Sequence, residues 1–403
     1  MTRLAVLPLL LALLGSNVAV AQVSPVPTPA NPAFTNEQAQ QLLAGAKHRL
    51  APDRRTSVFD VTAVLGAKGV TLTGEVHDQQ LLQRLLTFYQ AGCAVPVIDQ
   101  LSALPDPTFG VVCVSVANLR SKPGHSQELG TQVLLGTPLR ILKQAGGWSY
   151  VQAPNDYLCW TNDRMQRMDA SEFATWRKQA KVIITDTFTT VLSQASAGSQ
   201  AISDAVAGGL LSLEGERGEF YRVRYPDGRT GFVAKSAAMP FASWLTDTDD
   251  DPKHLIATAR RFFGVPYLWG GTSTKGMDCS GFTSTVWFLN GVLLPRDASQ
   301  QVHAGLAVAI DDAMSQVQPG DLLFFGRRAT DNQRERVTHV GISLGGMRFI
   351  HASTDVHENS FDPAADDYSA GLKGSLLHVR RVIDQDANTG VRPLREHSLY
   401  QLR

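Results

Sequence analysis

The spacing of apolar and polar positions changes along the chain, and its first part predicts a small α+β module over residues 34–106. Residues 36–46 have the spacing of a helix, and residues 58–61 and 70–76 alternate in the manner of strands. Residues 78–90 carry leucines on one helical face. The resulting order of helix, strand, strand and helix is that of an α+β module.

Two further regions, residues 110–168 and 181–241, consist of short strand-like runs and turns with few helix signals. WSYVQAPNDYLCWT (148–161) aligns without gaps on FYRVRYPDGRTGFV (220–233), so the two regions share a strand–turn–strand pattern. Such internal similarity predicts a tandem repeat of one small β domain. A helix over residues 169–178 is expected to connect the two copies.

The last region, residues 251–385, has the order of an α+β domain in which helices precede an antiparallel sheet. An amphipathic helix is predicted over residues 255–264 and a second helix over residues 279–290. Strand-like runs follow at residues 322–325, 337–344, 347–352 and 377–380. Residues 386–403 are interpreted as a C-terminal tail.

Residues 1–21 have the features of a secretory signal peptide. Arg3 precedes an apolar run over residues 4–14, and Ala19-Val20-Ala21 has the form of a cleavage site. We expect export to the periplasm or the medium, with an uncleaved anchor as the alternative. Residues 22–33 are rich in proline and small residues, which predicts a linker. No later segment reaches ~20 apolar residues, so no membrane contact is expected after cleavage.

Charge and cysteine content exclude several classes of partner. Lys and Arg total 37, as do Asp and Glu, so no excess of positive charge indicates nucleic acid. Since neither a C-x-x-C pair nor a G-x-x-x-x-G-K loop occurs, we expect no metal, nucleotide or other cofactor. Export permits a disulfide between Cys113 and Cys159, and two buried free thiols are the equal alternative. Cys93 and Cys279 complete the set of cysteines.

Cys279 is the candidate nucleophile because it opens a helix directly after a glycine-rich loop, in YLWGGTSTKGMDCSGF (267–282). The unpaired N–H groups at a helix start favour a thiolate, which predicts a lowered pKa for Cys279. The same N–H groups can bind the oxyanion that forms when a carbonyl is attacked. A buried structural cysteine is the alternative interpretation.

His339 in VTHVGIS is the candidate base, since it leaves its strand on the face opposite to Val340 and Ile342. An imidazole there can take the thiol proton and return it to the leaving amine. His351 lies twelve residues further on, and this even spacing places it directly opposite His339 if the connecting loop has an odd residue count. His351 could then orient His339 as the third member of a triad.

Three motifs, DCSGF, THVGI and FIHAS, resemble those of the NlpC-type papain-like cysteine peptidases in order, spacing and local context. The resemblance covers residues 251–385. It implies a papain-like catalytic domain with Cys279 as nucleophile, His339 as base and His351 as orienting residue. It also implies that the Tyr267 hydroxyl lies near the oxyanion.

The complete layout resembles a narrower group, the γ-D-glutamyl-L-diamino acid endopeptidases of the dipeptidyl-peptidase VI type. In that group two Src-homology-3-like barrels precede the catalytic domain, and the first barrel closes one end of the groove. An acidic side chain and a tyrosine of this barrel hold the free α-amino group of L-Ala, and the matching residues here are Glu128 and Tyr157. The second copy has Arg229 in place of Tyr157, so only the first copy fits. Other positions that match the substrate pocket are Trp269, expected as an apolar wall, Asp278, Ser280 and Asp297.

The expected fold class is therefore multidomain: a small α+β module, two Src-homology-3-like β-barrels and an α+β papain-like catalytic domain. The first module resembles the BON-like modules of bacterial envelope proteins and is absent from the minimal layout of the group. Its expected role is packing against the barrels. Cys159 also departs from the group, because it replaces the glycine that is usual in a Y-x-G-W motif.

The resemblance implies hydrolysis of the γ-D-glutamyl bond to meso-diaminopimelate or Lys in murein-derived peptides with a free N-terminal L-Ala. The alternatives are hydrolysis of intact peptidoglycan stems, acyl transfer from the thioester, and an inactive cell-wall binding protein. The intact set of Cys279, His339 and His351 argues against an inactive protein. An ammonium pocket formed by Glu128 and Tyr157 argues against intact stems.

Overall fold

The computed structural model describes residues 34–249, 251–385 and 389–401. The predicted signal peptide and linker therefore lie outside the described residues. The first unit is an α+β module whose three-stranded sheet has the order β1-β2-β3. Its elements are α1 (Asn36–Leu50), β1 (Phe59–Gly66), β2 (Gly69–Val76), α2 (Gln79–Gly92) and β3 (Val97–Ala103).

Local sequence explains where the helices of this module begin. Thr35 caps α1 and Asp78 caps α2, each by accepting a hydrogen bond from a backbone N–H of the first turn. β1 and β2 pair antiparallel, whereas β2 and β3 are parallel because α2 crosses between them. β3 was not predicted, since the exposed Asp99 and Gln100 interrupt its apolar run.

Two seven-stranded antiparallel sheets follow, connected by α3 (Ala170–Lys178). The strands of the first sheet are β4 (Thr108–Val112), β5 (Val116–Arg120), β6 (Leu129–Leu134), β7 (Pro138–Ala145), β8 (Trp148–Gln152), β9 (Leu158–Thr161) and β10 (Met165–Met168). Those of the second sheet are β11 (Lys181–Ile184), β12 (Phe188–Leu192), β13 (Ala201–Val206), β14 (Leu210–Arg217), β15 (Phe220–Arg224), β16 (Thr230–Ala234) and β17 (Ala238–Pro240).

The two sheets have the same strand order. The first has the order β10-β4-β7-β8-β9-β5-β6, and the second, followed from the equivalent edge, has the order β17-β11-β14-β15-β16-β12-β13. The segments 148–161 and 220–233, which align in sequence, form the equivalent hairpins β8–β9 and β15–β16. This topology supports the predicted tandem repeat.

The C-terminal domain packs helices on a six-stranded antiparallel sheet of order β21-β26-β22-β23-β24-β25. Its helices are α4 (Phe241–Asp247), α5 (Pro252–Arg260), α6 (Cys279–Phe288), α7 (Ala298–Gln301) and α8 (Ala370–Ser375). Its strands are β18 (Thr272–Ser273), β19 (Gly276–Met277), β20 (Val292–Leu293), β21 (Leu306–Val308), β22 (Leu322–Arg327), β23 (Arg336–Gly345), β24 (Arg348–Ala352), β25 (Val356–Ser360), β26 (Leu376–Arg381) and β27 (Arg392–Pro393). Short 3₁₀ turns occur at Lys235–Ala237 and Leu394–Glu396.

The sheet of the C-terminal domain is covered on both faces, which makes it a rigid support for the residues at its ends. Phe282 of α6 packs on Val340 and Ile342 of β23 in one buried cluster. A second cluster includes Phe325 and Phe349. Alternate residues of β22, β23 and β24 enter the two clusters, as the predicted strand spacing requires.

Residues near the C-terminus, interpreted from sequence as a tail, belong in part to the folded core. β27 pairs with β20, and Leu394, Leu399 and Tyr400 share a buried cluster with Trp244 of α4. These apolar side chains follow neither a helical nor a strand spacing. The sequence pattern therefore gave no reason to expect them in a core.

The four cysteines are free thiols, which excludes a disulfide between Cys113 and Cys159. Cys159 is buried and faces Gly130, where a Cβ atom would lie 2.6 Å from its sulfur. Gly130 thus provides the space for the thiol that stands where the related group has a glycine. Across the described part of the chain, none of the helices combines the length and apolar character that crossing a membrane requires.

The first seven-stranded sheet is joined to the C-terminal domain through Gln132 of β6. The side-chain oxygen of Gln132 accepts hydrogen bonds from the Thr272 N–H at 3.1 Å and from the Ser273 hydroxyl at 3.0 Å. These bonds hold β6 against the loop that precedes α6. The first sheet therefore lies beside the start of the helix that carries Cys279.

Candidate active site

α6 begins at Cys279 because Asp278 caps it. The Asp278 carboxylate accepts a hydrogen bond from the Gly281 N–H at 2.7 Å. Gly281 is required here, since a Cβ atom would lie 1.9 Å from the carbonyl oxygen of Gly271. This close approach holds the helix start against the glycine-rich loop. The predicted position of Cys279 at a helix N-terminus is confirmed.

The thiol of Cys279 is buried and lies against the backbone N–H groups of Val340 and Ser280. Burial raises the pKa of Cys279 to about 11, and the Asp278 carboxylate acts in the same direction. The two N–H groups and Arg296 oppose this rise. The prediction of a lowered pKa was wrong for the resting protein, because desolvation of the thiolate outweighs the positive end of the helix.

His339 and His351 are joined by a hydrogen bond of 2.8 Å between Nε2 of His339 and Nδ1 of His351. Direct opposition was expected only for a connecting loop with an odd residue count. Here Gly345 pairs with Arg348 across a two-residue turn, and His351 pairs with Gly341. A bulge between Ser343 and Gly345 shifts the register, so the two imidazoles meet diagonally on one face of the sheet. Their predicted contact is nevertheless present.

Asn359 of β25 determines which nitrogens of the two histidines carry hydrogen. Its Nδ2 donates to the carbonyl oxygen of Asp367 at 2.9 Å, so its Oδ1 accepts from Nε2 of His351 at 2.9 Å. Nδ1 of His351 is then an acceptor, and Nε2 of His339 donates to it. A neutral His339 therefore carries no hydrogen on Nδ1, which is the state a general base requires. Asn359 was not identified from sequence, because VHENS has no strand-like alternation.

Both histidines are neutral at ordinary pH. Burial lowers the pKa of His339 to about 3, and the neighbouring His351 and His357 act in the same direction. Burial also lowers the pKa of His351 to about 4, against the bond to Asn359 that favours its charged form. Within residues 251–385 no hydrogen bond joins the thiol of Cys279 to His339. The resting site therefore holds a thiol and a neutral imidazole, and we expect proton transfer to accompany attack on a substrate.

Tyr267 lies close enough to Cys279 for the charge of Cys279 to affect the ionisation of the Tyr267 hydroxyl. Burial raises the pKa of Tyr267 to about 12, and the charges of Cys279 and Asp278 add to this rise. The backbone N–H of Tyr267 donates to the carbonyl oxygen of Thr354 at 2.9 Å, which anchors the residue. Its hydroxyl is therefore protonated at neutral pH, the state in which it can donate to an oxyanion.

A buried ion pair of Asp278 and Arg296 lies next to Cys279. Nη2 of Arg296 is 2.7 Å from Oδ2 of Asp278, and Nη1 is 3.1 Å from Oδ1. Burial alone would lower the pKa of Arg296, but the charge of Asp278 and its hydrogen bonds raise it. Arg296 also donates to the Ser280 hydroxyl at 3.0 Å and to the Thr131 hydroxyl at 2.9 Å. Since Thr131 belongs to β6, the pair connects the first sheet to the helix start.

These contacts restrict how Asp278 and Ser280, both predicted to bind substrate, can act. Asp278 also accepts from the Gly270 N–H at 2.9 Å, so its bonds fill the roughly four acceptor positions of a carboxylate. Ser280 is buried, and its hydroxyl contacts Asp278 and Arg296. Both side chains hold the start of α6, and their direct contact with a substrate stays a prediction.

Glu128 and Trp269 contact each other across the boundary between the first sheet and the C-terminal domain. The indole Nε1 of Trp269 donates to Oε1 of Glu128 at 3.0 Å. Trp269 is 63% exposed, so its ring is available as an apolar wall. The backbone approach is close here, since a Cβ atom on Gly270 would lie 2.3 Å from the carbonyl oxygen of Leu129. The structure thus brings together two residues that the sequence placed in one pocket.

Tyr157 and Asp297 also meet across this boundary. The Tyr157 hydroxyl donates to Oδ2 of Asp297 at 3.0 Å, and burial together with the Asp297 charge raises the pKa of Tyr157. The same oxygen of Asp297 accepts from Nη1 of Arg55 at 2.7 Å. Sequence reasoning identified neither Arg55 nor Arg296. Arg296 directly precedes Asp297 in PRDAS and could have been considered, whereas nothing around Arg55 indicates a site.

Comparisons with known proteins match two regions of the chain to known families. Residues 264–373 match the model of the NlpC/P60 family, and residues 119–163 match the model described as the bacterial dipeptidyl-peptidase Sh3 domain. The γ-D-glutamyl-L-lysine dipeptidyl-peptidase of Bacillus subtilis is 31% identical over 232 residues, which are 55% of this chain and 71% of that protein. The chain belongs to the NlpC/P60 family.

Other NlpC/P60 relatives extend the match. The dipeptidyl-peptidase 6 of Lysinibacillus sphaericus is 29% identical over 280 residues, which are 67% of this chain and 97% of that protein. A crystal structure of an NlpC/P60 family protein from Bacillus cereus covers 68% of this chain and 99% of its own, with a TM-score of 0.59 and 24% identity. This likeness shows a common fold. The protein is a cysteine peptidase with an NlpC/P60 papain-like domain and an SH3-like domain.

Proposed function

We propose that this NlpC/P60 peptidase hydrolyses the γ-D-glutamyl bond to meso-diaminopimelate or Lys in murein-derived peptides with a free N-terminal L-Ala. The observation that carries the proposal is that the Glu128–Trp269 and Tyr157–Asp297 contacts lie on one boundary, where burial raises the pKa of the Cys159 thiol and both carboxylates are near enough to add to this rise. An ammonium group removed from water needs carboxylates and further acceptors around it. The name of the relative from Bacillus subtilis, a γ-D-glutamyl-L-lysine dipeptidyl-peptidase, supports the same class of bond.

The proposed pocket distinguishes released peptides from intact wall. In intact peptidoglycan the amino group of L-Ala is part of an amide and carries no charge. Binding of such a substrate would remove the carboxylates of Glu128 and Asp297 from water without placing a cation beside them. This desolvation without a partner charge costs free energy. We therefore expect the enzyme to act on peptides after another enzyme has freed the L-Ala amino group.

In the proposed reaction Cys279 is the nucleophile and His339 is the base. Nδ1 of His339 takes the thiol proton as Sγ of Cys279 attacks the γ-carbonyl carbon. Backbone N–H groups at the start of α6 and the Tyr267 hydroxyl donate to the oxyanion. The carbon–nitrogen bond then breaks, His339 gives its proton to the leaving amine, and a thioester remains. Water then loses a proton to His339 and attacks the thioester carbon. The carbon–sulfur bond breaks to release the acid, and Sγ of Cys279 takes the proton back from His339.

The remaining parts of the chain have supporting roles in this proposal. His351, oriented by Asn359, keeps Nδ1 of His339 free of hydrogen. The common strand order supports two Src-homology-3-like barrels, of which the first closes one end of the groove. The predicted signal peptide would export the enzyme to the compartment that contains murein peptides.

The test uses L-Ala-γ-D-Glu-meso-diaminopimelate and its N-acetylated form, with release of the dipeptide followed by mass spectrometry. We expect the wild type to cleave only the free peptide. Cys279→Ala should lower turnover by at least about 10⁴-fold, because the nucleophile is lost. Its free energy of unfolding should stay within about 2 kcal/mol of the wild type. Cys113→Ala removes another buried thiol and is the matched control with full activity.

Each other result contradicts a defined part of the proposal. Equal cleavage of both peptides would remove Glu128, Tyr157 and Asp297 from substrate selection and indicate a hydrolase of intact stems. Turnover of the free peptide by Cys279→Ala would exclude the proposed nucleophile. Cleavage of neither peptide by the reduced wild type would exclude the proposed reaction.

A further inference from the structure

The N-terminal module reaches the proposed ammonium pocket through Arg55. Arg55 lies in the segment between α1 and β1, 242 residues before Asp297 in sequence. Its Nη1 donates to Oδ2 of Asp297 at 2.7 Å and to the hydroxyl of Ser299 at 2.9 Å. A module that the sequence assigned only to packing thus touches a residue of the proposed pocket.

The position of Arg55 is determined by contacts on three sides. Within the module, Asp53 accepts from Nε and Nη2 of Arg55, both at distances below 3.2 Å. On the first barrel, the N–H of Leu158 donates to the carbonyl oxygen of Arg55 at 2.7 Å. On the catalytic domain, the amide of Gln300 donates to Asp53 at 2.7 Å. The guanidinium is therefore held at the junction of three domains.

The two carboxylate oxygens of Asp297 have different partners, and the bond from Arg55 goes to Oδ2 alone. Oδ2 accepts from Arg55 and from the Tyr157 hydroxyl. Oδ1 has its nearest cation, Arg296, 4.0 Å away, beyond the length of a hydrogen bond. Arg55 and Asp53 together add no net charge, so the carboxylates of Asp297 and Glu128 keep the pocket suited to a cation. Among the described residues, Arg55 is the charged donor to Oδ2, so its removal leaves Tyr157 as the remaining side-chain donor to that oxygen.

We propose that Arg55 is a positioning residue that holds Asp297 with Oδ1 directed to the α-ammonium of the substrate. The N-terminal module thereby completes the specificity pocket of the enzyme. This inference rests on the proposed function and assigns to the module a part in substrate selection. Arg55 itself contacts neither the scissile bond nor Cys279.

The test compares Arg55→Ala and Arg55→Lys with the wild type on L-Ala-γ-D-Glu-meso-diaminopimelate. For Arg55→Ala we expect KM to rise about tenfold, as loss of one charge-assisted hydrogen bond predicts, with kcat within twofold. Arg55→Lys should recover part of the affinity, since an ammonium can reach one carboxylate but cannot form both sets of bonds. Glu75→Gln is the matched control, because it breaks the Glu75–Lys143 ion pair between the same module and the first barrel.

A second measurement separates positioning from general damage. The rate at which iodoacetamide alkylates Cys279, followed by mass spectrometry of the modified peptide, does not depend on an ammonium group. We expect this rate and the midpoint of thermal unfolding to be unchanged in Arg55→Lys, and the alkylation rate to be within twofold of the wild type in Arg55→Ala.

The outcomes distinguish this inference from the proposed function. An unchanged KM in Arg55→Ala, with the wild type cleaving only the free peptide, overturns the role of Arg55 and leaves the function in place. An equal rise of KM in Glu75→Gln, or slowed alkylation of Cys279 in Arg55→Lys, overturns it in favour of simple module docking. A wild type that does not prefer the free peptide overturns both.

Discussion

The two seven-stranded sheets, the proposed barrels, have the same strand order but use one equivalent position differently. In the first barrel, Tyr157 donates to Asp297 of the catalytic domain at 3.0 Å. In the second, Arg229 donates to the carbonyl oxygen of Cys113 at 2.8 Å and lies 4.2 Å from the ring centre of Tyr225. One side chain reaches the proposed substrate pocket, whereas the other fastens the second barrel to the first.

The difference shows that equivalent positions in the two sheets make different contacts, because a different part of the chain lies next to each of them. The first barrel contacts the loop before α6 through Gln132, so side chains on its exposed turns border the site. The second barrel contacts the catalytic domain through the ion pair of Asp204 and Lys275 at 2.6 Å, which involves none of the proposed site residues. We therefore expect substitutions in the first barrel to change substrate selection and those in the second to change stability.

The largest expected difference between the barrels concerns Glu128. Glu128→Gln removes a charge from the pocket, and kcat/KM for the free peptide should fall about 10- to 100-fold, the range for a hydrogen bond to a charged group. Glu214→Gln in the second barrel breaks exposed ion pairs with Arg222 and Arg224 and should leave kcat/KM within twofold. Steady-state kinetics of both variants test this, and an equal loss in the two would remove the distinction between the barrels.

Arg229→Ala should act on stability alone. It removes the bond to Cys113 and the contact with Tyr225, so the free energy of unfolding should fall by about 1–3 kcal/mol, measured by urea denaturation. The ratio of kcat/KM for free and N-acetylated peptides should not change. A shift in that ratio would mean that the second barrel takes part in substrate selection.

Tyr157→Phe should have a smaller effect than Glu128→Gln, because it removes a neutral donor. A three- to tenfold rise of KM for the free peptide is expected from the loss of about 0.5–1.5 kcal/mol. Tyr221→Phe makes the same change to a buried tyrosine of the second barrel and is the control with unchanged KM. Steady-state kinetics of the two variants, measured under the same conditions, test this prediction. Equal KM values for the two would refute the role of Tyr157.

The smallest expected effect is that of lowering the pH from 7 to 5, which leaves the protonation state of the proposed base and its orienting histidine unchanged. The pKa values of His339 and His351, lowered by burial to about 3 and about 4, keep both neutral at pH 5. A base with an ordinary pKa of 6.5 would lose roughly 30-fold in this interval. We expect kcat/KM for the free peptide to change less than threefold, and a thirtyfold fall would contradict the buried, neutral pair.

Much of the site could be predicted because its elements follow local rules. Cys279 stands where a capped helix starts, and His339 and His351 have the same parity on adjacent strands. The spacing alone did not establish which residue lies opposite His351, because the bulge after Ser343, which brings the two histidines onto one face, has no mark in the sequence. The predicted pKa of Cys279 was wrong because helix position is local, whereas burial depends on what the rest of the chain places around the sulfur.

The amino-acid sequence by itself determined the order of helical and strand-rich regions, the internal repeat, and the candidate nucleophile and base. These depend on residue spacing within short segments, where helix and strand periods decide which side chains share a face. Only the tertiary structure decided that Asn359 sets the tautomers, that Arg296 is buried against Asp278, and that Arg55 meets Asp297. The last contact joins residues 242 positions apart. No local spacing encodes such a contact, because it arises from the packing of whole domains on one another.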